Sequence, residues 1–261
     1  EMLNDENKLE MLFYRPQEEA NTNIVRLSLF HKDEPIHLSD VMPMLENFGL
    51  RVIGETPYSV KTNDGRINWI MDFSMLLDNQ GVADFDKVSA RFRAALTNVW
   101  GNRLENDGFN RLVLMGGLTG REASILRAYA KYMRQIGVTF SQTYIESTFA
   151  NYPHIATQIV NLFAKKFSIK SPASSKTLDK LISQIYLELE NVANLDDDRI
   201  IRLYVDMIIA TLRTNYFQKD DTGTFKSYVS FKVQPSLIPD MPLPLPAFEI
   251  FVYSPRVEGV H

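Results

Sequence analysis

The chain contains no cysteine, which excludes disulfides and thiolate metal sites. Histidine is scarce as well: His31, His37, His154 and His261 form no i,i+4 pair and give no transition-metal spacing. Basic residues are not in excess. With 28 Lys and Arg against 32 Asp and Glu and a net charge of −4, a dedicated nucleic-acid binder is not expected. No long apolar run is free of charge. The most hydrophobic stretch, 200–217, carries Arg202, Asp206 and Arg213, too many for a membrane span. The opening residues EMLNDENKLEML lack the basic and apolar segments of a secretion signal. A cytoplasmic protein with neither membrane nor nucleic-acid partners is the expectation.

What is present reads as an α+β chain. Residues 23–31 alternate Ile24, Arg26 and Ser28 against Val25, Leu27 and Leu29, the pattern of a half-buried strand. Ser39 is placed to cap a helix carrying Val41, Met44, Leu45 and Phe48 at helical spacing, and Gly49 stops it. Strands over 50–61 and 66–76 follow, joined by a turn whose Asp64-Gly65 is a hairpin signal, and a helix over 85–100 closes the unit. The order β-α-β-β-α is that of a ferredoxin-like module.

From Asp84 to about Asp221 the chain reads helical. Thr119 and Glu122 form a capping box opening a helix to Gln135, with Ala123, Leu126, Ala130 and Met133 inward and Arg127, Lys131 and Arg134 as a solvated stripe. Ser141 caps the next helix, and Asn151 with Pro153 opens a third on Ile155, Ile159, Leu162 and Phe163. After a break at 171–175, Asp196, Asp197 and Asp198 start a helix that is apolar nearly all round to Leu212, as a buried central helix would be. Beyond it, 228–233 and 247–261 read as strands. Phe248, Ile250 and Val252 alternate with Glu249, Phe251 and Tyr253, as in a strand covered on both faces. Two strands are marginal alone, so more sheet is expected after His261.

Several clusters invite a chemical reading. The glycines at 116, 117 and 120 resemble a phosphate loop, but no Lys-Ser/Thr follows, and helix-boundary glycines explain them. The three aspartates complement a helix dipole and need no metal. The prolines at 235, 239, 242, 244 and 246 suit a stiff connector better than a groove ligand. Arg213 and Asn215, at the end of the apolar helix, and Arg256, after the last strand, are the polar groups that need partners, and they are the domain-junction candidates.

Five long blocks carry a family resemblance, in order: 38–60 (LSDVMPMLENFGLRVIGETPYSV), 107–137, SQTYIE at 141–146, LDDDRIIR at 195–202 and ATLRTNYFQ at 210–218, followed by PDMPLPLPAFEIFVY and SPRVEGVH over 239–261. They resemble the large, tetrameric-type bacterial NAD-specific glutamate dehydrogenases. The resemblance implies an ACT-like module over 1–100, a helical bundle domain over 101–222, and a proline-rich connector with the first strands of a catalytic domain over 223–261. It also implies a parent that oxidatively deaminates L-glutamate to 2-oxoglutarate and ammonia with NAD, as a homo-oligomer. In that family the glycine-rich turn, the glutamate-binding lysines and the NAD-binding domain follow the part corresponding to His261. This stretch is therefore expected to be regulatory or structural and inactive alone, with no catalytic, cofactor or metal residue of its own. Arg256 is expected to anchor backbone rather than touch substrate. An amino-acid-sensing ACT module is the alternative, although residues 32–37 lack the glycine that ligand-binding versions carry after their first strand.

Overall fold

The computed structural model describes residues 9–19, 22–32, 34–63, 65–77 and 85–261. It divides the chain into two compact units, one ending at Gly120 and one running from Arg121 to His261.

The first unit contains β1 (Glu10–Tyr14), β2 (Ile24–Lys32), α1 (Leu38–Asn47), β3 (Leu50–Lys61), β4 (Ile67–Leu77), α2 (Phe85–Trp100) and α3 (Arg111–Met115). Its four strands are antiparallel in the order β1-β2-β4-β3. Alternation decides the faces. Val25, Leu27, Leu29, Phe73 and Met75 are buried in one core with Val41, Leu45 and Phe48 of α1 and Phe92 of α2. The opposite face is held at its centre by Asp72, which accepts from Ser28 Oγ at 2.7 Å and pairs with Arg26.

Connecting β2 to β3 through α1 leaves a gap that β4 fills, which is the ferredoxin-like arrangement. The sequence reading began at β2 and missed β1, which takes the edge beside it; five residues with Leu12 exposed give too short an alternation to stand out. Ser39 is not the cap. Helix α1 starts two residues earlier, with His37 as its N-cap and no side-chain bond there, while Gly49 at φ +79° terminates it as expected. Asp33 and the Asp64 of the hairpin signal lie outside the described residues.

The second unit contains α4 (Gly120–Gln135), α5 (Gln142–Asn151), α6 (Pro153–Phe167), α7 (Ser175–Leu189), α8 (Leu195–Ala210), β5 (Thr211–Thr214), β6 (Val229–Val233), β7 (Glu249–Tyr253) and β8 (Glu258–Val260). Ser141 accepts from Tyr144 N as the α5 cap, but Asn151 is the last residue of α5 and Tyr152 precedes Pro153 at the start of α6. Helix α8 packs against α5, α6 and α7 with Ile200, Ile201, Tyr204, Val205 and Ile208 buried. It ends at Ala210, where the sequence reading carried it to Leu212, and the chain passes directly into β5.

The strands β5-β6-β7-β8 form one antiparallel sheet in sequence order. The neighbours that β6 and β7 need thus come from β5 and β8 within the chain. One face packs on aromatic rings of the helices: Phe231 stacks on Tyr129 at 4.4 Å, and Phe251 lies 5.4 Å from Tyr132. Coverage stops there. Phe248, Ile250 and Val252 on the other face are exposed, so β7 is covered by this chain on one side, whereas its alternation reads as a strand covered on both.

Candidate functional site

The polar groups gather where α8 enters the sheet. Lys166 of α6 donates from Nζ to the carbonyl oxygens of Ile208 and Ile209, at 2.8 and 2.6 Å, and so satisfies the C-terminal end of α8. Burial pushes its ammonium down to about 8. Thr211, fully buried, donates to Met207 O at 2.7 Å and shares a 2.8 Å hydrogen bond with Tyr129 Oη. Burial raises the Tyr129 hydroxyl well above the ordinary tyrosine range, so it remains a phenol.

Asn215, at the end of β5, is a strut. Its Oδ1 accepts from Ser230 N at 2.7 Å and its Nδ2 donates to Tyr228 O at 3.2 Å, extending the β5–β6 ladder by one side chain. Arg213 points the other way. A register shift between Thr211 and Arg213 places Arg213 opposite Lys232 of β6, exposed and without a hydrogen bond or ion pair among the described residues. Arg256 sits in the β7–β8 turn, where Ser254 Oγ accepts from the backbone N–H groups of Arg256 and Val257. Its side chain is exposed. The structure therefore brings Asn215 into the packed interior and leaves both arginines facing outward.

The basic stripe on α4 is solvated only at its end, Arg134. Arg127 is fully buried and donates to Ser124 Oγ, while Lys131 and Arg134 both pair with Glu258 of β8. Tyr132 Oη donates to Glu249 at 2.6 Å. The stripe is thus the underside of the sheet, a role the helical spacing alone does not distinguish from a solvated one.

The three aspartates at the start of α8 each have a partner. Asp197 accepts from Thr148 Oγ1 at 2.7 Å, Asp198 pairs with Arg202 and Asp196 with Arg199, while Asn194 caps the helix through the backbone N–H groups of Asp196 and Asp197. Gly120 is explained by packing, since a Cβ there would lie 2.7 Å from Leu104 Cδ2 and 3.3 Å from Ala95 Cβ.

One cavity of about 630 Å³ opens along α8, which is less uniformly apolar than its sequence suggests. It is lined by Arg199, Arg202 and Asp206 from the helix, with Phe140 and Asp240 opposite. Burial raises the Asp206 carboxyl, and the neighbouring Arg202 partly opposes this. The signal in the sequence is the recurrence of charge at Asp196, Arg199, Arg202 and Asp206, spaced i, i+3, i+6 and i+10 along one side of the helix.

The ferredoxin-like module, the helices and the antiparallel sheet each fall in a region that matches part of a multidomain glutamate dehydrogenase. A model described as glutamate dehydrogenase, ACT3 domain, matches residues 8–88; one described as glutamate dehydrogenase, helical motif 3, matches 104–169. The catalytic domain of bacterial NAD-glutamate dehydrogenase matches 184–261, so α8 and the last sheet fall within it. The chain is 42% identical over 253 residues to an NAD-specific glutamate dehydrogenase of Halomonas elongata, 42% over 263 residues to one of Pseudomonas aeruginosa and 37% over 253 residues to one of Mycobacterium tuberculosis. These alignments take in 97%, 99% and 94% of this chain and 16% of each relative. Over nearly its whole length the chain is thus similar to a part of the large bacterial NAD-specific glutamate dehydrogenases. Among the described residues, no helix is long and apolar enough to cross a membrane.

Proposed function

We propose that this chain is a regulatory and structural part of a cytoplasmic, homo-oligomeric NAD-dependent glutamate dehydrogenase that converts L-glutamate to 2-oxoglutarate and ammonia in amino-acid catabolism. It does not itself carry the hydride transfer. The observation that supports this most is the pairing of a catalytic-domain match over 184–261 with a sheet whose strands are all antiparallel. NAD is held at the glycine-rich turn of a parallel α/β sheet, so NAD and glutamate bind in other parts of the protein, and nucleic acid is not a partner. Arg213 and Arg256 are junction residues that face those parts, and Asn215 fixes the strand that presents Arg213.

The ACT-like unit acts as a positioning module rather than an amino-acid sensor. The turn after β2 is closed on itself, with His31 Nδ1 hydrogen-bonded to Glu34 O at 2.8 Å and Glu34 N donating to Lys32 O. NADH formation from glutamate, followed by absorbance, tests the main reading. The full-length protein is expected to turn over and the 261-residue chain to be silent; comparable rates for the two would overturn it. Calorimetric titration of the full-length protein with individual amino acids other than glutamate should give no heat that is abolished by substitutions in residues 31–37.

A further inference from the structure

Alternate residues divide the last sheet into two faces of opposite character. The inner face carries Phe231, Phe251 and Tyr253, all buried. The outer face carries Ile250 and Val252, 43 and 38% exposed on a strand that is internal to its sheet, with Phe248, 49% exposed, immediately before that strand. An antiparallel sheet with one solvated face normally presents polar side chains there. Three alternate apolar residues leading into and along an internal strand are instead the pattern of a face that receives a covering layer.

The charges on that face are of one sign. Arg213 lies directly opposite Lys232, Lys232 opposite Ile250, and Ile250 exchanges backbone hydrogen bonds with His261. Like charges at facing positions of neighbouring strands destabilise a sheet. Among the described residues of these strands, neither glutamate lies on the face: Glu249 is turned inward to Tyr132, and Glu258 pairs with Lys131 and Arg134 of α4. The Lys232 ammonium rests 4.1 Å from the Phe248 ring centre, and Arg213 has no partner among the described residues.

We propose that this face docks an amphipathic helix from the remainder of the catalytic domain. The helix lays an apolar stripe across Phe248, Ile250 and Val252 and sets carboxylates against Arg213 and Lys232. This rests on the functional reading above, in which residues 184–261 are one part of a catalytic domain and the chain spans 16% of its relatives. A second copy of this chain does not fit, since two-fold pairing would bring cations onto cations. A small anion would neutralise the charge but leave the apolar residues in water. A helix edged with acids meets both requirements, as layered α/β packing does generally.

The test uses the full-length protein with the photoreactive residue p-benzoylphenylalanine in place of Val252. Irradiation, digestion and mass spectrometry are expected to show a cross-link within one polypeptide to a peptide outside residues 1–261 that alternates apolar and acidic residues at helical spacing. A cross-link to a second copy, to a peptide within 1–261, or to no peptide overturns the proposal. Independently, the double substitution Arg213→Glu, Lys232→Glu in the full-length protein is expected to lower Tm by about 5 °C or more. Lysines placed at the acids of the cross-linked peptide should restore it, and an unchanged Tm in the double variant overturns the proposal. Glutamate-dependent NADH formation by the unmodified protein is assayed separately. The expected cross-link in a protein without that activity supports the docking and overturns only the functional reading.

Discussion

Replacing Asn215 by alanine tests whether the most suggestive polar residue at the junction is a strut or a chemical group. The side chain makes two hydrogen bonds, accepting from Ser230 N at 2.7 Å and donating to Tyr228 O at 3.2 Å. Tyr228 is exposed, so its carbonyl finds water when the amide is removed; Ser230 is half-buried within β6 and its N–H loses its acceptor. An unsatisfied buried donor costs roughly 1–3 kcal/mol and a lost exposed bond about 0.5 kcal/mol, giving a total of about 2 kcal/mol. At about 2–4 °C per kcal/mol for a unit of this size, the calorimetric transition of the second unit should fall by about 4–8 °C. Asn215→Asp sharpens the test. It keeps the acceptor for Ser230 N but brings a carboxylate oxygen against Tyr228 O, so its folded state favours the protonated acid and the folded pKa lies above the unfolded one. Its stability deficit should therefore shrink as pH falls through that raised pKa and be smallest below the unfolded carboxylate range. A Tm for Asn215→Ala within 1 °C of the parent would refute the strut.

Three further substitutions probe other parts of the fold. Gly120→Ala places a methyl 2.7 Å from Leu104 Cδ2 and 3.3 Å from Ala95 Cβ; overpacking of about 1–2 kcal/mol should lower the urea midpoint, and an unchanged midpoint would show that the site has room. Phe231→Ala removes a fully buried ring stacked on Tyr129 and should cost about 3–5 kcal/mol by chemical denaturation, with a loss under 1 kcal/mol refuting its place in the core. Lys166→Met isolates a pH effect: the folded pKa of about 8 lies below the ordinary 10.5, so folding favours the neutral amine. The lysine's contribution is least favourable below pH 8 and improves up to 10.5, so the parent should gain stability relative to the methionine variant across that window, and a flat difference would refute it.

The first unit was largely legible because its strands alternate cleanly and Gly49 and the 50–61 and 67–77 runs leave little choice of boundary. Helices α4, α6 and α8 were legible for the same reason, through apolar residues at helical spacing. What escaped was decided by tertiary contact. Thr211 to Thr214 continues an apolar run in sequence, yet it becomes a strand because β6 offers a ladder to an edge that a helix would leave unpaired. β8 has only three residues, and its pairing with β7 depends on the turn that Ser254 closes. The α4 stripe looked solvated because helical periodicity records only that Arg127, Lys131 and Arg134 share a side; it carries no information that Glu258, over a hundred residues away, lies beneath them. Arg213, Asn215 and Arg256 are alike in their chemistry; the register separates the inward Asn215 from the outward Arg213, and the turn closed by Ser254 leaves Arg256 exposed.

That separation turns on one extra residue. Thr211 faces inward, bonded to Tyr129 and to the end of α8. In a regular strand the residue two positions on would face the same way, and Arg213 would press a guanidinium into the aromatic layer of Tyr129, Phe163 and Phe231, where an unpaired charge is prohibitive. The register shift at Leu212 moves the alternation by one: Arg213 turns outward opposite Lys232, and Thr214 faces Phe231. Leu212 itself is left exposed beside them. The bulge therefore keeps the core uncharged and at the same time sets two cations side by side on the face that holds Ile250 and Val252. The core alone accounts for the bulge: Thr211 must face inward to close α8, and the arginine two positions on must not follow it. The outward cations that result are the ones the proposed acidic helix would meet.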